Sequence, residues 1–206
     1  MVDSVIDARD LEALCELARS RGASGVSTMD ARGVVLDPRV RLKCTVPMCE
    51  HYGHNLMCPP NFMPLQEFGK VLERYSRAIL VQYPIPVRSF TIDDSARGME
   101  QAYADKEYYQ QLLCSEIAFI DLMGLLEKEA MRAGHRFAAA FSGGACRLCD
   151  ECVGQGSGKS CRHPFRSRPA TEAMGIDVFE TARNAGLPFD LPPKDRPVWN
   201  GLLLVD

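Results

Sequence analysis

Residues 146–152 read Cys-Arg-Leu-Cys-Asp-Glu-Cys, and Cys161 follows after eight intervening residues. The thiols of Cys146, Cys149 and Cys152 recur at every third position, so a tight loop can wrap them around one compact centre. Three such thiols cannot all pair with one another as disulfides. Thiolate is a soft ligand and selects zinc, Cu(I) or an iron–sulfur cluster over magnesium or calcium. The stretch therefore predicts a metal-binding loop.

The form of this loop favours an iron–sulfur cluster. Zinc sites usually consist of two C-x2-C pairs on separate knuckles, whereas here three ligands share one short loop, as in [4Fe–4S] proteins. We therefore expect one cluster to be held by the second cysteine set, Cys146, Cys149, Cys152 and Cys161. Zinc is the alternative metal.

A first cysteine set lies upstream and consists of Cys44, Cys49 and Cys58, with Pro59-Pro60 directly after it. Three cysteines leave one iron of a four-iron cluster open to solvent, substrate or another ligand. His51 and His54 lie within this set and could supply an imidazole. The other interpretation of each histidine is a solvated position or a hydrogen bond to a ligand.

The division of the ligands between two centres stays open at this point. In two-cluster ferredoxins the cysteine followed by proline binds the other cluster. Cys58 could therefore serve the second set, with Cys161 serving the first. The spacing also leaves open whether there is one centre or two.

The composition indicates a globular protein with reduced thiols. The 206 residues are 46% hydrophobic and carry a net charge of −3, and no basic stripe suggests a nucleic-acid partner. We see no signal-peptide pattern and no apolar run of about 18 residues, so we expect a cytoplasmic protein without membrane association. In that compartment thiols stay reduced, and an odd count of nine cysteines fits metal binding better than disulfides.

Hydrophobic periodicity predicts helices and strands in alternation. Helices are expected over residues 7–21, 64–75, 95–133 and 177–185, with a short helical piece at Thr171. Strands are expected over 78–83, 136–141 and 198–205, with a hairpin over 24–36 and extended backbone over 40–43. The pattern predicts an α/β fold: a single layered domain over residues 1–206, with a mixed sheet, flanking helices and two Cys-rich metal-binding loops. Cys15 and Cys114 fall on apolar helical stripes and are expected in the core.

Two features near Cys161 have both an ordinary and a functional interpretation. The segment 154–160 looks like a phosphate loop, but Val153 replaces the first glycine and no strand precedes it, so we interpret it as a flexible loop. The arginines Arg162, Arg166 and Arg168, together with His163, form a basic cluster. It would stabilise a reduced centre or hold an anionic substrate, or else it pairs with Asp150 or Glu151.

The two cysteine sets and their surroundings resemble a family of small anaerobe-associated proteins catalogued as a domain of unknown function, "predicted metal-binding protein". The resemblance covers about residues 36 to 187. It rests on Lys43-Cys44-x4-Cys49-x2-Tyr52-Gly53-x4-Cys58-Pro59-Pro60, on Gly144-x-Cys146-x2-Cys149-x2-Cys152, on Cys161-Arg162-x-Pro164, and on Arg168-Pro169-x2-Glu172-Ala173-x-Gly175-Ile176-Asp177-Val178. It implies metal binding through clusters and carries over no reaction.

We therefore expect an iron–sulfur protein with one or two [4Fe–4S] clusters, acting in electron transfer or in reductive activation of a partner. Its partner would be a redox protein or a small anionic substrate. A pure electron carrier would have fully ligated clusters, whereas an enzyme would need an open iron beside a pocket, and no catalytic residue is assigned. The alternative is a non-catalytic zinc-binding or metal-delivery module.

Overall fold

A four-stranded antiparallel sheet lies at the centre of the fold. The computed structural model describes residues 8–87, 104–187, 189–190 and 196–206. In chain order the elements are α1 (Ala8–Ser20), β1 (Gly25–Asp30), α2 (Pro38–Thr45), α3 (Leu65–Leu72), β2 (Arg77–Pro84), α4 (Lys106–Arg132), β3 (Ala139–Phe141), α5 (Val178–Asn184) and β4 (Val198–Val205). Short 3-10 turns lie at Ala31–Gly33, Gln155–Ser157 and Glu172–Met174. The helix expected over 95–133 begins at Lys106, and residues 95–103 of it lie outside the described part.

The strand order is β1-β2-β4-β3. The longest pairing joins β2 to β4, where Ile79 lies opposite Leu203 and Leu80 opposite Leu202. Each of these strands contains a continuous apolar run, residues 78–81 in β2 and 202–205 in β4, because helices cover both faces of the sheet. Successive side chains of a strand point to opposite faces, so each run supplies both layers of the core.

The two faces carry separate hydrophobic layers. On one face, α1 and α4 pack on Ile79, Val81 and Leu203, with Phe119 and Met123 of α4 fully buried. On the other face, α3, α5 and the turn at 172–174 cover Leu80 and Leu202. The expected α/β class is confirmed. Among the described residues, no helix is both long and apolar enough to cross a bilayer.

The structure corrects several local predictions. The three ladders of the sheet are all antiparallel, and a parallel pairing occurs only as the isolated bridge between Ser142 and Ala170 among the described residues, so the sheet is not the mixed one expected. A continuous apolar run indicates that both faces of the sheet are covered. Such coverage is common for parallel sheets but is not restricted to them. The hairpin over 24–36 is also wrong, because β1 pairs with β2 instead.

Two further predictions were wrong because the spacing of apolar residues in the sequence was interpreted as a sign of burial. Residues 40–43 belong to α2, whose side chains include no buried residue. Cys15 is buried in the core as expected, but Cys114 is exposed.

Candidate metal centre

The second cysteine set lines one cavity. The cavity has a volume of about 350 Å³ and is bordered by Cys146, Cys149, Cys152 and Cys161. A water molecule occupies about 30 Å³ in the liquid, so the space exceeds what one ion or one water needs. Cys161, nine positions after Cys152 in sequence, thus lies with the other three thiols.

Local backbone geometry places this set at the end of the sheet. Strand β3 leads directly into Ser142-Gly-Gly-Ala and then Cys146. Gly143 passes so close to β4 that a Cβ atom would lie 3.0 Å from the carbonyl oxygen of Asn200, and Gly144 has a φ of +73°. Both glycines are therefore required where the chain leaves the sheet and turns into the thiol loop.

Hydrogen-bond donors point at the sulfurs of this set. The backbone N–H of His163 donates to Sγ of Cys161 at 3.3 Å, and Ser167 Oγ lies 3.4 Å from the same sulfur. The backbone N–H of Leu56 donates to Sγ of Cys152 at 3.5 Å. Such donors stabilise thiolate ligands and tune the potential of a bound cluster.

The first cysteine set begins in the last turn of α2. Asp37 caps this helix by accepting a hydrogen bond from the backbone N–H of Arg39 at 2.7 Å, and Cys44 lies near the helix end. The backbone N–H of Cys49 then donates to the carbonyl oxygen of Cys44 at 3.0 Å, which closes a turn between the two thiols.

Cys58 is the most enclosed thiol of the two sets. Burial, and then the nearby thiols of Cys49, Cys44, Cys146 and Cys152, raises its pKa to about 12. The pKa of Cys146 is also raised, chiefly by burial, although a hydrogen bond from the backbone N–H of Leu148 opposes the shift. Without a cation these thiols are therefore protonated at neutral pH, and metal binding would release their protons.

Two amide side chains join the loops that carry the two sets. Asn55, which is 5% exposed, donates from Nδ2 to the carbonyl oxygen of Cys146 at 3.1 Å. Gln155 donates from Nε2 to the carbonyl oxygens of Asn55 at 2.8 Å, Cys58 at 3.0 Å and Pro59 at 3.3 Å. The two cysteine sets, far apart in sequence, are thus neighbours in space.

The histidines of the first loop face the second set. His51 and His54 both line the cavity that holds Cys146 and Cys149. The His54 ring lies 3.6 Å from the position a Cβ would take at Gly154, and His51 Nε2 lies 3.3 Å from Oε1 of Glu50. Burial and then the charge of Arg147 lower the pKa of His51, which favours the neutral imidazole.

Three arginines tie the second cysteine loop to α4. Arg147 pairs with Glu116 at 3.3 Å, Arg166 with Asp121 at 2.8 Å, and Arg168 with Glu127 at 2.6 Å. These partners differ from Asp150 and Glu151, which the sequence had suggested. Arg162 instead donates to the backbone carbonyl of Glu151 at 2.8 Å, and it lines the cavity together with His163.

The donor atoms of the two cysteine sets are of the kind that soft metals bind. All nine cysteines are free thiols, and the seven of the two sets lie in two joined loops. Within the described ranges, no group of three His, Cys, Asp or Glu side chains is arranged to hold a single metal ion.

Sequence reasoning missed Asn55, Gln155 and Glu116, which hold the site without belonging to a ligand motif. Gln155 lies in a glycine-rich stretch that was interpreted as flexible, and no spacing rule marks it. Glu116 is one of many acids on a long helix. Only the fold shows which acid faces the cysteine loop.

Comparison with known proteins identifies the family of the chain. A family model described as "Predicted metal-binding protein (DUF2284)" matches residues 27–205. The resemblance noted from the two cysteine sets is thereby confirmed. No curated protein and no solved structure matches the chain.

Proposed function

Since the chain belongs to this family of predicted metal-binding proteins, we propose that it is an iron–sulfur protein that moves electrons to a partner or activates that partner by reduction. Cys146, Cys149, Cys152 and Cys161 would hold one [4Fe–4S] cluster. Cys44, Cys49 and Cys58 would hold a second with one open iron. Residues 1–206 would form a single cytoplasmic domain that serves a redox protein or a small anionic substrate.

The observation that carries the proposal is that the two cysteine loops are held side by side. Asn55 and Gln155 hold the loops together through hydrogen bonds to the backbone of both sets. Two centres held this close could exchange electrons, which is the chemistry that such clusters supply when bound. A cluster takes one thiolate at each iron and so accepts thiols spaced more widely than one zinc ion does.

The protein's own residues would set the environment of the second centre. Arg147 and Arg162 border the cavity and would favour the more negative, reduced state. The N–H groups of Leu56 and His163 would do the same through Cys152 and Cys161. Leu56, Met57, Leu148 and Val153 supply the apolar part of the lining, which limits water around the sulfurs.

The test is the metal and sulfide content of protein purified without oxygen, alongside its visible spectrum. We expect about eight iron and eight acid-labile sulfide per chain. In Cys149→Ser we expect about half of both and a matching loss of visible absorption. Cys114→Ser is the matched control, because Cys114 is exposed and lies outside both sets, and it should keep full content.

Zinc without sulfide in the wild-type protein would refute the redox proposal and establish the zinc-binding or metal-delivery alternative. Full iron and sulfide in Cys149→Ser would refute the ligand assignment of the second set. About four iron per chain in the wild type would contradict the two-centre form of the proposal.

A further inference from the structure

A surface groove lies between α4 and the turn that follows Cys161. It has a volume of about 560 Å³, and its lining includes Lys128, Met131, Arg132, Pro164, Phe165 and Arg168. Phe165 is 90% exposed and Met131 is 50% exposed. Aromatic and methionine side chains are enriched at the centres of protein–protein interfaces. This α4 groove therefore has the apolar part of a docking surface.

Both ends of the turn that carries Phe165 contact the sulfur of Cys161. The backbone N–H groups of Arg166 and Ser167 donate to the carbonyl oxygen of His163 at 3.0 and 2.9 Å, which closes the turn around Phe165. The N–H of His163 donates to Sγ of Cys161, and Ser167 Oγ lies 3.4 Å from the same sulfur. A partner that contacts Phe165 would therefore lie close to a ligand of the proposed second centre.

Ion pairs fix this turn on α4. Arg168 pairs with Glu127 at 2.6 Å, and Arg166 pairs with Asp121 at 2.8 Å. Arg168 also donates to the backbone carbonyl of Ser167 at 2.7 Å. The two walls of the α4 groove are thus held together before any partner arrives, and a preformed surface loses little conformational entropy on binding.

The α4 groove is basic, although the net charge of the chain is −3. Its lining holds the cations Lys128, Arg132 and Arg168 and a single anion, Glu127, which pairs with Arg168. Arg132 pairs with Glu129 at 2.7 Å. Lys128 is exposed and forms no ion pair within the described part of the chain. Because complementary charge steers association and like charge suppresses it, the α4 groove favours an acidic partner.

We propose that the α4 groove is the docking site for the electron-transfer partner, and that this partner is a protein that presents carboxylates around an apolar side chain. The apolar side chain packs on Phe165 and Met131, and the carboxylates face Lys128 and Arg132. This rests on the proposed function and adds to it the chemistry of the partner and the place where it binds. Three cations, two of them already paired, are too few for the row of phosphate contacts that a nucleic acid needs.

The test is the binding of two acidic electron-transfer proteins, a flavodoxin and a ferredoxin, each followed by the anisotropy of a fluorescent label. The protein is purified without oxygen, and the ionic strength is raised from about 0.01 to about 0.15 M. A net charge of −3 alone would repel both acidic proteins, so their affinity would rise as salt screens the repulsion. Docking on the basic groove predicts the opposite, an affinity that falls as salt is added.

Two surface variants locate the binding. Phe165→Ser should weaken it about tenfold, because the aromatic anchor is removed. Lys128→Glu should weaken it about fivefold, because a charge at the groove is reversed. Both side chains are exposed, so neither change touches the core. Lys70→Glu is the matched control, since Lys70 is an exposed lysine on α3, on the other face of the sheet, and this variant should bind like the wild type.

Wild-type protein that binds neither acidic protein, or that binds them more tightly as salt is added, would overturn the proposal. Equal losses in Lys128→Glu and Lys70→Glu would also overturn it, because the attraction would then belong to no particular surface. A wild-type dimer that Phe165→Ser abolishes in analytical ultracentrifugation would assign the groove to a second copy instead. The binding assay requires no electron transfer, whereas absence of iron and sulfide refutes the proposed function, so the two failures are distinguishable.

Discussion

Gln155 places one side-chain amide where three backbone carbonyls of the first cysteine loop converge. Its own backbone N–H donates to the carbonyl oxygen of His54 at 3.0 Å. A buried carbonyl without a donor costs about 1–3 kcal/mol, so one residue has a large effect on whether the two loops stay together.

We expect Gln155→Glu to weaken this junction, because a carboxylate would face three carbonyl oxygens and offer no donor. The free energy of unfolding should fall by about 1–3 kcal/mol, and bound metal should be lost to a chelator faster. Urea unfolding and timed chelation measure the two effects. Gln111→Glu, on the exposed face of α4, should stay within about 0.5 kcal/mol of the wild type. Equal effects of the two substitutions would contradict the role given to Gln155.

At the scale of single residues, the sequence predicted the candidate thiols and missed the side chains that hold their loops together. Cysteine spacing is a local property, so seven candidate ligands could be named from it. Hydrogen bonds from Asn55 and Gln155 join segments that are about a hundred residues apart, and no local pattern reports them. Cys15 and Cys114 show the same limit, since the sequence predicted both in the core, but Cys15 is buried and Cys114 is exposed.

Among the elements, β4 and α4 approach each other closely at Gly201. A Cβ atom there would lie 2.8 Å from Sδ of Met123, 2.8 Å from Cζ of Phe119 and 2.9 Å from the carbonyl oxygen of Phe141. The absence of a side chain lets the helix lie on the sheet, with the Phe119 ring stacked between Tyr83 and Trp199.

Gly201→Ala should therefore destabilise the protein by about 1–3 kcal/mol, because overpacking forces the helix or the sheet to shift. The shift in the midpoint of urea unfolding relative to the wild type measures this loss of stability. Gly156→Ala is the matched control, since a Cβ atom at that position has nothing within 4 Å. A neutral Gly201→Ala would mean that α4 is free to move away from β4.

Helix α2 shows why one element was mistaken for extended backbone. Val40 and Leu42 alternate with Arg41 and Lys43 as in a half-buried strand, but Leu42 is 57% exposed, so the alternation reports no buried face. The signal that decided the structure was the start, Asp37 as a cap and Pro38 at the first helical position. The long strands β2 and β4 were predictable because their apolar runs report true burial.

Across the whole molecule, the metal-binding region is attached to the folded core by ion pairs of unequal burial. Arg168 and Glu127 are 12% and 17% exposed, and Glu127 also accepts a hydrogen bond from the backbone N–H of Ala140 at 2.6 Å. Arg166 and Asp121 are 47% and 43% exposed. Removing one partner of a buried pair leaves an uncompensated charge, whereas an exposed pair contributes little.

We expect Arg168→Met to lower the free energy of unfolding by about 3 kcal/mol and Arg166→Met to lower it by less than about 1 kcal/mol. Urea unfolding of both variants provides the comparison. In the background Glu127→Gln, the effect of Arg168→Met should shrink, because the carboxylate that it leaves unpaired is absent. Similar losses of unfolding free energy in the two arginine variants would contradict the role given to burial.

The position of β4 in the sheet has a consequence for biosynthesis. This strand is translated after the other three, yet it lies between β2 and β3, and β3 forms its ladder only with β4 among the described strands. Ribosomes add about 5–20 residues per second, so the thiols of the first set wait on the order of ten seconds before β4 exists. The nascent chain therefore exposes the cysteines of the first set before the cofactor site has formed. The metal site can therefore be completed only after β4 has been made, and those thiols must stay reduced until then.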